Sequence, residues 1–311
     1  MSEIRLFSLS GKVTQLKDNA VALEKELQTL IENNLETFFG VRFVKSEYAI
    51  TDGRMDSIGL DENNSPVIFE YKRSTNENVI NQGLFYLDWL LDHKAEFEAL
   101  VKEKLGQSVA DSVDWSVPCV MCIAKDFTKY DEHAVKQMQR NIKLIKYKKY
   151  GKDLILFELI NNPTAKPIEE SSGETVAVKK STSNMKSHAE KLASMNEDAK
   201  NVYASVCDYI ESLGDDISMN QVKYYVAYKK IQNFVCIEVY KDAIALYLKL
   251  EPRDFFLEEG FSRDVSKTGH RGTGDLEITL HNLTDFEKAK SKIEAEVKFY
   301  KESVLKENPI P

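Results

Sequence analysis

The sequence predicts two domains, an N-terminal α/β domain and a smaller C-terminal α+β domain with an antiparallel sheet. The first observation is size, because 311 residues with 42% hydrophobic content suffice for two cores. The second is the order of periodic segments up to residue 160, which alternates helices and strands. The third is residues 161–185, rich in Pro, Ser, Thr and charge without periodicity, as in a linker. We expect domains at residues 1–160 and 186–311, joined by that linker.

The first domain is expected to begin with an amphipathic helix from about Lys17 to Phe38 that ends at Gly40, because apolar residues recur there at helical spacing. A second helix is expected from about Glu77 to Lys104, with leucines on its inner stripe. Between the helices lie three strands, and after the second helix come a buried strand, a short helix and two strands. The segments concerned are "VRFVKSEY", "RMDSIGL", "PVIFEYK", "SVPCVMCIA", "DEHAVKQM", "IKLIKY" and "DLILFEL".

The second domain is expected to start with a helix through "AKNVYASVCDYIESLG", followed by the strand "VKYYVAYK". The segment "NFVCIEVYKDAIALYLKL" predicts a hairpin that turns at Lys241 and Asp242. After it come the loop "SKTGHRGTGD", the strand "LEITL" and a closing helix from Asp285. The loop has no Gly-Lys-Ser/Thr and is therefore not a usual phosphate loop. We expect a mobile surface loop, in which His270, Arg271 and Asp275 are candidate ligand contacts.

Composition excludes some classes of protein. A net charge of −8 and a pI near 5.4 do not suit a protein that binds nucleic acid by bulk positive charge, so any such site must be local. The four cysteines lie in apolar runs, which favours buried thiols in a reducing compartment over a zinc or redox site, even for the Cys119 and Cys122 pair. No apolar stretch approaches the ~20 residues of a membrane span. We expect a cytoplasmic protein.

The stretch "GRMDSIGLDENNSPVIFEYKR" places acidic residues and a lysine on two adjacent strands. Because side chains alternate along a strand, Glu70 and Lys72 share one face. The turn between the strands brings Asp56 near them. Two carboxylates suit Mg²⁺ or Mn²⁺, which proteins hold with one or two carboxylates plus waters and substrate phosphate oxygens. A lysine beside them can orient or deprotonate water. The pattern predicts a phosphodiesterase site.

The two helices offer further candidates. With Leu23 at zero and ~100° per residue, the apolar stripe of the first helix centres near roughly 50°, Glu24 lies at roughly 100° and Glu26 at roughly 300°. Glu24 is therefore expected to face the sheet, whereas Glu26, Glu32 and Glu36 are expected on the solvent side. On the second helix, Gln82 is expected to reach the strand ends, where an amide can bind a water or a phosphate.

The ordered set of Asp56, Glu70, Lys72 and Gln82 resembles the D, ExK and Q motifs of the PD-(D/E)XK nuclease superfamily, although Met55 stands at the position of the proline in its name. The preceding "LEKELQTLIE" resembles the helix that leads into the nuclease domain of NucS-type DNA endonucleases, where a glutamate matching Glu24 joins the site. The resemblance covers roughly residues 17–125.

This resemblance implies a restriction-endonuclease-like fold with an αβββαβ core and cleavage of DNA phosphodiester bonds that depends on Mg²⁺ (or Mn²⁺). It places Asp56, Glu70 and Glu24 on the metal, Lys72 beside the water, and Gln82 in the site. The second domain resembles an uncharacterised bacterial domain found behind such nuclease-like domains, in proteins sometimes labelled predicted transporters.

Less specific interpretations stay open. A Glu and a Lys two residues apart on a strand often form an exposed ion pair worth ~0.5 kcal/mol. Arg54 and Arg73 flank the motif and are candidates for phosphate contacts or for solvated strand residues. The densest basic run is a candidate for tracking a nucleic-acid backbone or, equally, a solvated face; it comprises Lys136, Arg140, Lys143, Lys146, Lys148, Lys149 and Lys152.

Two functional hypotheses follow. The first is a metal-dependent DNA endonuclease serving restriction, phage defence or repair, in which the second domain chooses the substrate or partner. The second is a module that keeps the nuclease fold without the chemistry and binds nucleic acid or a protein. DNA is the expected partner, and no association with a membrane is expected. A homodimer is expected of a nuclease that cuts both strands. The form of the substrate is left open by the sequence.

Overall fold

The computed structural model of the chain describes residues 6–8, 14–16, 18–19, 24–72, 79–151, 153–161, 186–214 and 216–302. The chain divides into two compact units. The first falls within Met1–Gly59, Val67–Ala110 and Cys119–Pro163, and the second within Leu60–Pro66, Asp111–Pro118 and Thr164–Pro311. The expected linker, except for Asn161, lies outside the described residues, so the domain boundaries of 1–160 and 186–311 stay predictions.

The first unit is mixed α/β, as expected. Its elements in chain order are β1 (Leu6–Ser8), β2 (Thr14–Leu16), β3 (Asp18–Asn19), α1 (Glu24–Glu32), α2 (Leu35–Phe39), β4 (Arg42–Ile50), β5 (Gly53–Leu60), β6 (Pro66–Lys72), α3 (Val79–Asp92), α4 (Lys94–Leu105), α5 (Gln107–Ala110), β7 (Cys119–Ala124), α6 (Lys129–Gln137), β8 (Asn141–Tyr150) and β9 (Leu154–Leu159). Strands β1 to β3 were not predicted, because two or three residues are too short to show a period.

A seven-stranded sheet organises this unit. Its order is β3-β8-β7-β6-β5-β4, and β9 pairs with β8 over Ile145 to Tyr150. Strands β6, β7 and β8 run parallel, so that Glu70 lies beside Cys122 and Lys72 beside Ala124. Every residue of β7 is buried, as expected for a strand inside a parallel sheet. The predicted strands are thus confirmed, and β5 and β6 are neighbours near the middle of the sheet.

Both long helices of the prediction are interrupted. The first ends at Gly40 as predicted, but it begins at Glu24 rather than near Lys17, because Asp18 and Asn19 pair with β8 instead. It also breaks into α1 and α2 at Asn33 and Asn34, where the Asn34 side chain donates to the Leu30 carbonyl at 2.8 Å. Asparagine often bonds nearby backbone in this way and is a weak helix former. The second breaks at His93, whose backbone N–H still donates to the Trp89 carbonyl at 3.1 Å. Local side-chain bonding therefore accounts for the first break.

The second unit is α+β, as expected. Its elements are α7 (His188–Ala193), α8 (Glu197–Ser212), β10 (Ser218–Gln221), β11 (Val226–Lys229), β12 (Asn233–Val239), β13 (Ile244–Leu248), a 3-10 turn (Pro252–Asp254), β14 (Ser262–Asp264), β15 (Leu276–Leu280) and α9 (Leu283–Glu302). They form an antiparallel six-stranded sheet in the order β10-β11-β12-β13-β15-β14. Apolar residues of α8 and α9 pack on the sheet to make the core. The hairpin turn at Lys241 and Asp242 is confirmed, whereas α7, β10 and β14 were not predicted.

A buried ion pair lies within the second unit. Lys229 Nζ is 2.9 Å from Asp61 Oδ2, and the two side chains are 4% and 5% exposed. The other carboxylate oxygen of Asp61 accepts the backbone N–H groups of Asn63 and Ser65, at 2.8 and 2.9 Å. Asp61 therefore shapes its own turn while it neutralises the lysine of β11.

Burial is confirmed for three of the four cysteines, and Cys207 is half-buried. Cys119, Cys122 and Cys236 are buried, and all four cysteines are free thiols. Burial raises the pKa of the Cys122 thiol, so it stays in its unreactive neutral form. In the part of the chain that the structure describes, no helix combines the length and apolar character needed to cross a membrane.

A buried glutamate on α9 makes the stability of the second unit depend on pH. Glu296 is 1% exposed, and burial raises its pKa from 4.5 to about 7, although Lys249 lowers it. The folded state holds the proton more tightly than the unfolded state. The free energy of unfolding therefore falls as pH rises from about 4.5 to about 7 and is constant above that range. The total loss is ~2–3 kcal/mol. We expect Glu296→Gln to remove this loss.

The measurement is urea unfolding of the full chain at pH 5 and pH 8. The matched control is Glu287→Gln, an exposed position on the same helix, which should keep the pH dependence of the original chain. If Glu296→Gln kept that dependence as well, the buried proton would be ruled out as its source.

Candidate active site

Two carboxylates lie together on the adjacent strands β5 and β6. Glu70 is fully buried, and its Oε1 is 3.4 Å from the backbone nitrogen of Asp56. In return the backbone N–H of Tyr71 donates to Asp56 Oδ2 at 3.1 Å. Each carboxylate is thus held by the backbone of the opposite strand, which fixes both at one point of the sheet.

Burial dominates the pKa values of the two carboxylates. The pKa of Glu70 is raised from 4.5 to about 8, mainly by burial and also by the nearby Asp56. Burial also raises the pKa of Asp56, against the hydrogen bond from Tyr71. Lys72 favours the charged form of both groups. One lysine does not offset the cost of a fully buried Glu70 beside a half-buried Asp56, so a bound cation would stabilise them.

The geometry leaves one acceptor for such a cation. Glu70 Oε2 is buried and accepts no hydrogen bond within the described residues. A buried unpaired oxygen costs about 1–3 kcal/mol and calls for a ligand. Two carboxylates next to a lysine suit Mg²⁺, which is usually completed by water and substrate oxygens. Among the residues that the structure describes, no group of three or more His, Cys, Asp or Glu side chains is placed to hold a metal ion.

Glu24 and Lys72 lie at the edge of this pair. Glu24 opens α1, and its Oε1 is 3.7 Å from Lys72 Nζ. The Lys72 side chain is only 11% exposed, whereas that of Glu24 is 39% exposed. Glu24 also raises the pKa of Glu70. The structure thus brings Glu24 to the site, where its side chain lies next to Lys72.

Gln82 is linked through Tyr86 to β5, the strand that carries Asp56. Gln82 lies on α3 and is exposed, and its Nε2 donates to Tyr86 Oη at 3.4 Å. The backbone N–H of Arg54, on β5, donates to the same hydroxyl at 3.3 Å. The amide therefore stands near the start of the strand that carries Asp56. Tyr86 gave no signal in the sequence beyond an aromatic residue at a helical core position.

Glu32 was wrongly expected on the solvent side. Its Oε1 accepts three hydrogen bonds, from Gln28 Nε2 at 2.9 Å, Ser46 Oγ at 2.7 Å and Ser57 Oγ at 2.6 Å. Gln28 Nε2 also lies 2.9 Å from the Asp56 carbonyl oxygen. Glu26 and Glu36 are exposed, as expected. Glu32 therefore fastens α1 to β4 and β5, next to the residue that carries the carboxylate.

We expect Glu32→Ala to lower the free energy of unfolding of the first unit by about 1–3 kcal/mol, because buried donors such as the Ser57 hydroxyl lose their acceptor. The measurement is urea unfolding, followed by a spectroscopic probe in that unit. Glu36→Ala, on the neighbouring α2 and exposed, is the control and should change stability by less than ~0.5 kcal/mol. Equal effects of the two substitutions would contradict the role given to Glu32.

Glu47 on β4 was not singled out in the sequence. It has φ 52°, in the left-handed region, and its carboxylate binds Lys25 Nζ at 2.8 Å and Arg54 Nε at 2.6 Å. It also raises the pKa of Asp56. Non-glycine residues with such backbone angles cluster at functional sites. Arg54, a candidate phosphate contact, is thus exposed but paired with Glu47.

The basic run of β8 does not lie on one surface. Lys143 is 1% exposed, so its ammonium is not presented to solvent. Lys146 pairs with Asp126 at 2.7 Å, and Lys148 and Lys149 are half-buried. The alternation of a strand explains this, because β8 lies inside the sheet between β7 and β9 or β3. Arg73 and Lys152 lie outside the described residues.

Two family models match the chain. Residues 23–113 match the endonuclease NucS C-terminal domain, and residues 186–295 match a domain of unknown function (DUF5655). The first match spans α1 to α5 and includes Glu24, Asp56, Glu70, Lys72 and Gln82. Residues 23–113 are thus similar to the C-terminal domain of NucS endonucleases, which confirms that resemblance, and a DUF5655 domain follows.

One relative is similar over its full length, an uncharacterized protein of Haemophilus influenzae that is 30% identical over 297 residues, 94% of this chain and 98% of its own. The chain belongs to the same family as this protein. Two solved structures are similar over 43% of this chain. A repair endonuclease from Pyrococcus abyssi is 20% identical with a TM-score of 0.27, and an EndoMS–dsDNA2 complex is 21% identical with a TM-score of 0.28. The matched part spans 51% and 50% of those chains.

Proposed function

We propose that the chain is a metal-dependent DNA endonuclease that hydrolyses phosphodiester bonds at the site of Asp56, Glu70 and Lys72. The observation that carries the proposal is the fully buried Glu70 beside Asp56, in which Glu70 Oε2 lacks a hydrogen-bond partner among the described residues. An energetic cost of this kind among carboxylates with raised pKa values is typical of a functional site. The match of this region to an endonuclease family model supports the same reaction.

The residues take distinct roles in this proposal. Asp56 and Glu70 would hold Mg²⁺ or Mn²⁺, and the ion would supply charge stabilisation at the phosphate and a lowered pKa for water. Lys72 stands beside the carboxylates with little exposure, where it can orient the attacking water and favour developing negative charge. Glu24 holds the lysine in place from α1, as a second acceptor or a further metal ligand. Gln82 is positioned by Tyr86 to contact water or phosphate.

The wider setting is also part of the proposal. Double-stranded DNA is the first substrate to test, and a homodimer would bring two such sites to the two strands. A cytoplasmic location suits four free thiols. Restriction, phage defence and repair are the processes that such an activity serves. The DUF5655 domain would choose the substrate or partner.

The proposal is tested by incubating the purified full chain with plasmid, single-stranded, branched and modified DNA in Mg²⁺, in Mn²⁺ and with a chelator. We expect cleavage of at least one substrate with either ion and none with the chelator. Light scattering on the same samples gives the oligomeric state. DNA binding without cleavage in either ion would instead favour the module that keeps the nuclease fold and only binds.

A further inference from the structure

A cavity of about 550 Å³ opens on the second unit, and the described residues that line it belong to that unit. None of them is a residue of the carboxylate site. The cavity volume is within the ~300–1,000 Å³ that small-molecule sites occupy. Six of its side chains carry the argument: Lys191, Glu238, Tyr247, Arg263, His270 and Arg271.

The loop that supplies His270 and Arg271 is packed directly on the sheet. Gly272 and Gly274 have φ of 82° and 128°, and a Cβ added there would lie 2.5 Å from Cys236 Cβ and 2.6 Å from the Leu248 backbone. The backbone N–H of Thr273 also donates to Cys236 Sγ at 3.3 Å. Only glycine permits this approach. The end of the loop is thus packed on the sheet directly after His270 and Arg271.

Flat groups face the cavity. The His270 ring stacks on the Tyr247 ring, with centroids 4.7 Å apart and an interplanar angle of 18°. Tyr247 is 2% exposed, so the imidazole rests on a fixed base. The Arg271 guanidinium lies 4.2 Å above the Tyr224 ring. Planar groups held in this way are surfaces on which an aromatic ligand stacks.

Charge in the cavity favours an anion. Arg263 makes two 2.7 Å bonds to Glu277, and Glu238 accepts from Lys191 at 2.6 Å and from Arg271 at 3.5 Å. The side chains of Glu277 and Glu238 are 6% and 8% exposed, whereas that of Arg263 is 64% exposed. The carboxylates thus lie behind the cations. Three positive charges against two negative ones leave one net positive charge at the opening.

We propose that this cavity binds a nucleoside phosphate. The base would stack beside His270, and the phosphate would accept hydrogen bonds from Arg263, Arg271 and Lys191. Guanidinium groups match the geometry of phosphate oxygens, and an aromatic neighbour adds affinity for the base. The ligand could come from two sources, a free nucleotide or the phosphorylated end of a nucleic-acid strand. Either source would make this domain the part of the chain that senses or selects nucleotides.

Isothermal titration calorimetry of the full chain in metal-free buffer tests this. The probes are adenosine monophosphate, adenosine triphosphate, adenosine, inorganic phosphate, and a short oligonucleotide with or without a 5′-phosphate. We expect a phosphorylated nucleoside to bind more tightly than adenosine or inorganic phosphate. Tighter binding of the 5′-phosphorylated oligonucleotide than of both nucleotides would identify a strand end as the source. Absence of binding by every phosphorylated probe would overturn the proposal.

Variants distinguish this cavity from the carboxylate site. We expect Arg271→Gln and His270→Ala each to weaken binding about tenfold or more. Arg253→Gln and His281→Ala, exposed residues of the same unit outside the cavity, should leave affinity unchanged. Asp56→Asn should also leave the affinity for nucleotides unchanged. Nucleotide binding is therefore expected even if the nuclease proposal fails. Circular dichroism confirms folding, and equal loss in the control variants would overturn the assignment.

Discussion

Replacing Glu70 by glutamine is expected to lower metal-dependent DNA cleavage by about 10²-fold or more. Glutamine has the same size but cannot supply the negative charge that, with Asp56, would hold a divalent cation. The loss should appear in the rate at saturating DNA, because the Glu70 side chain is fully buried and is not itself exposed for DNA binding. Single-turnover cleavage at several Mg²⁺ concentrations measures it.

Stability separates this loss from unfolding. Burial raises the pKa of Glu70 to about 8, so above that pH the original chain carries an unfavourable buried charge that the variant lacks. The thermal midpoint of Glu70→Gln at pH 8.5 should therefore not fall below that of the original chain by more than ~2 °C. Glu26→Gln, an exposed acidic position on α1, is the activity control. Cleavage by Glu70→Gln at the rate of the original chain would show that Glu70 is not part of the active site.

Replacing Lys229 by methionine is expected to lower the free energy of unfolding of the second unit by about 3–5 kcal/mol. Methionine fills a similar volume but leaves the Asp61 carboxylate buried without its cation, and Asp61 is only 5% exposed. The penalty is that of one uncompensated charge rather than of a lost contact. Urea unfolding of the full chain at pH 7 measures it.

Two comparisons sharpen this test. The double variant Asp61→Asn with Lys229→Met keeps the Oδ1 acceptor of the turn but removes the charge, and should regain part of the lost stability. Lys200→Met breaks an exposed pair with Glu197 at 2.8 Å, and should change stability by less than ~1 kcal/mol. A Lys229→Met variant as stable as Lys200→Met would contradict the buried ion pair.

The parts of the fold that the sequence predicts well rest on short-range patterns. Strands β4, β5 and β6 were found because alternation and the polar turn "DENNS" act within a few residues. The same alternation placed Glu70 and Lys72 correctly relative to Asp56, since strand geometry leaves little choice. The hairpin at Lys241 and Asp242 is a further case. Wherever one strand and its turn contain the information, prediction and structure agree.

The parts that failed depend on partners far along the chain. A helical projection of α1 cannot show that Glu32 meets Ser46 and Ser57 on two strands, so it assigned Glu32 to solvent. The density of lysines along β8 predicts an exposed basic surface. The burial of Lys143, however, depends on which strands flank β8, and the sequence of β8 does not show this. The cavity of the second unit joins Lys191 to His270 and Arg271, which no spacing rule connects. Tertiary packing decides each of these positions.

A metal-dependent nuclease site at Asp56 and Glu70 has one direct test. Plasmid DNA is incubated with the original chain or with Asp56→Asn, in Mg²⁺ or with a chelator, while DNA binding is followed in parallel. We expect cleavage only by the original chain with Mg²⁺, and unchanged DNA binding by the variant. Equal cleavage by both proteins, or cleavage in the presence of the chelator, would rule out this site.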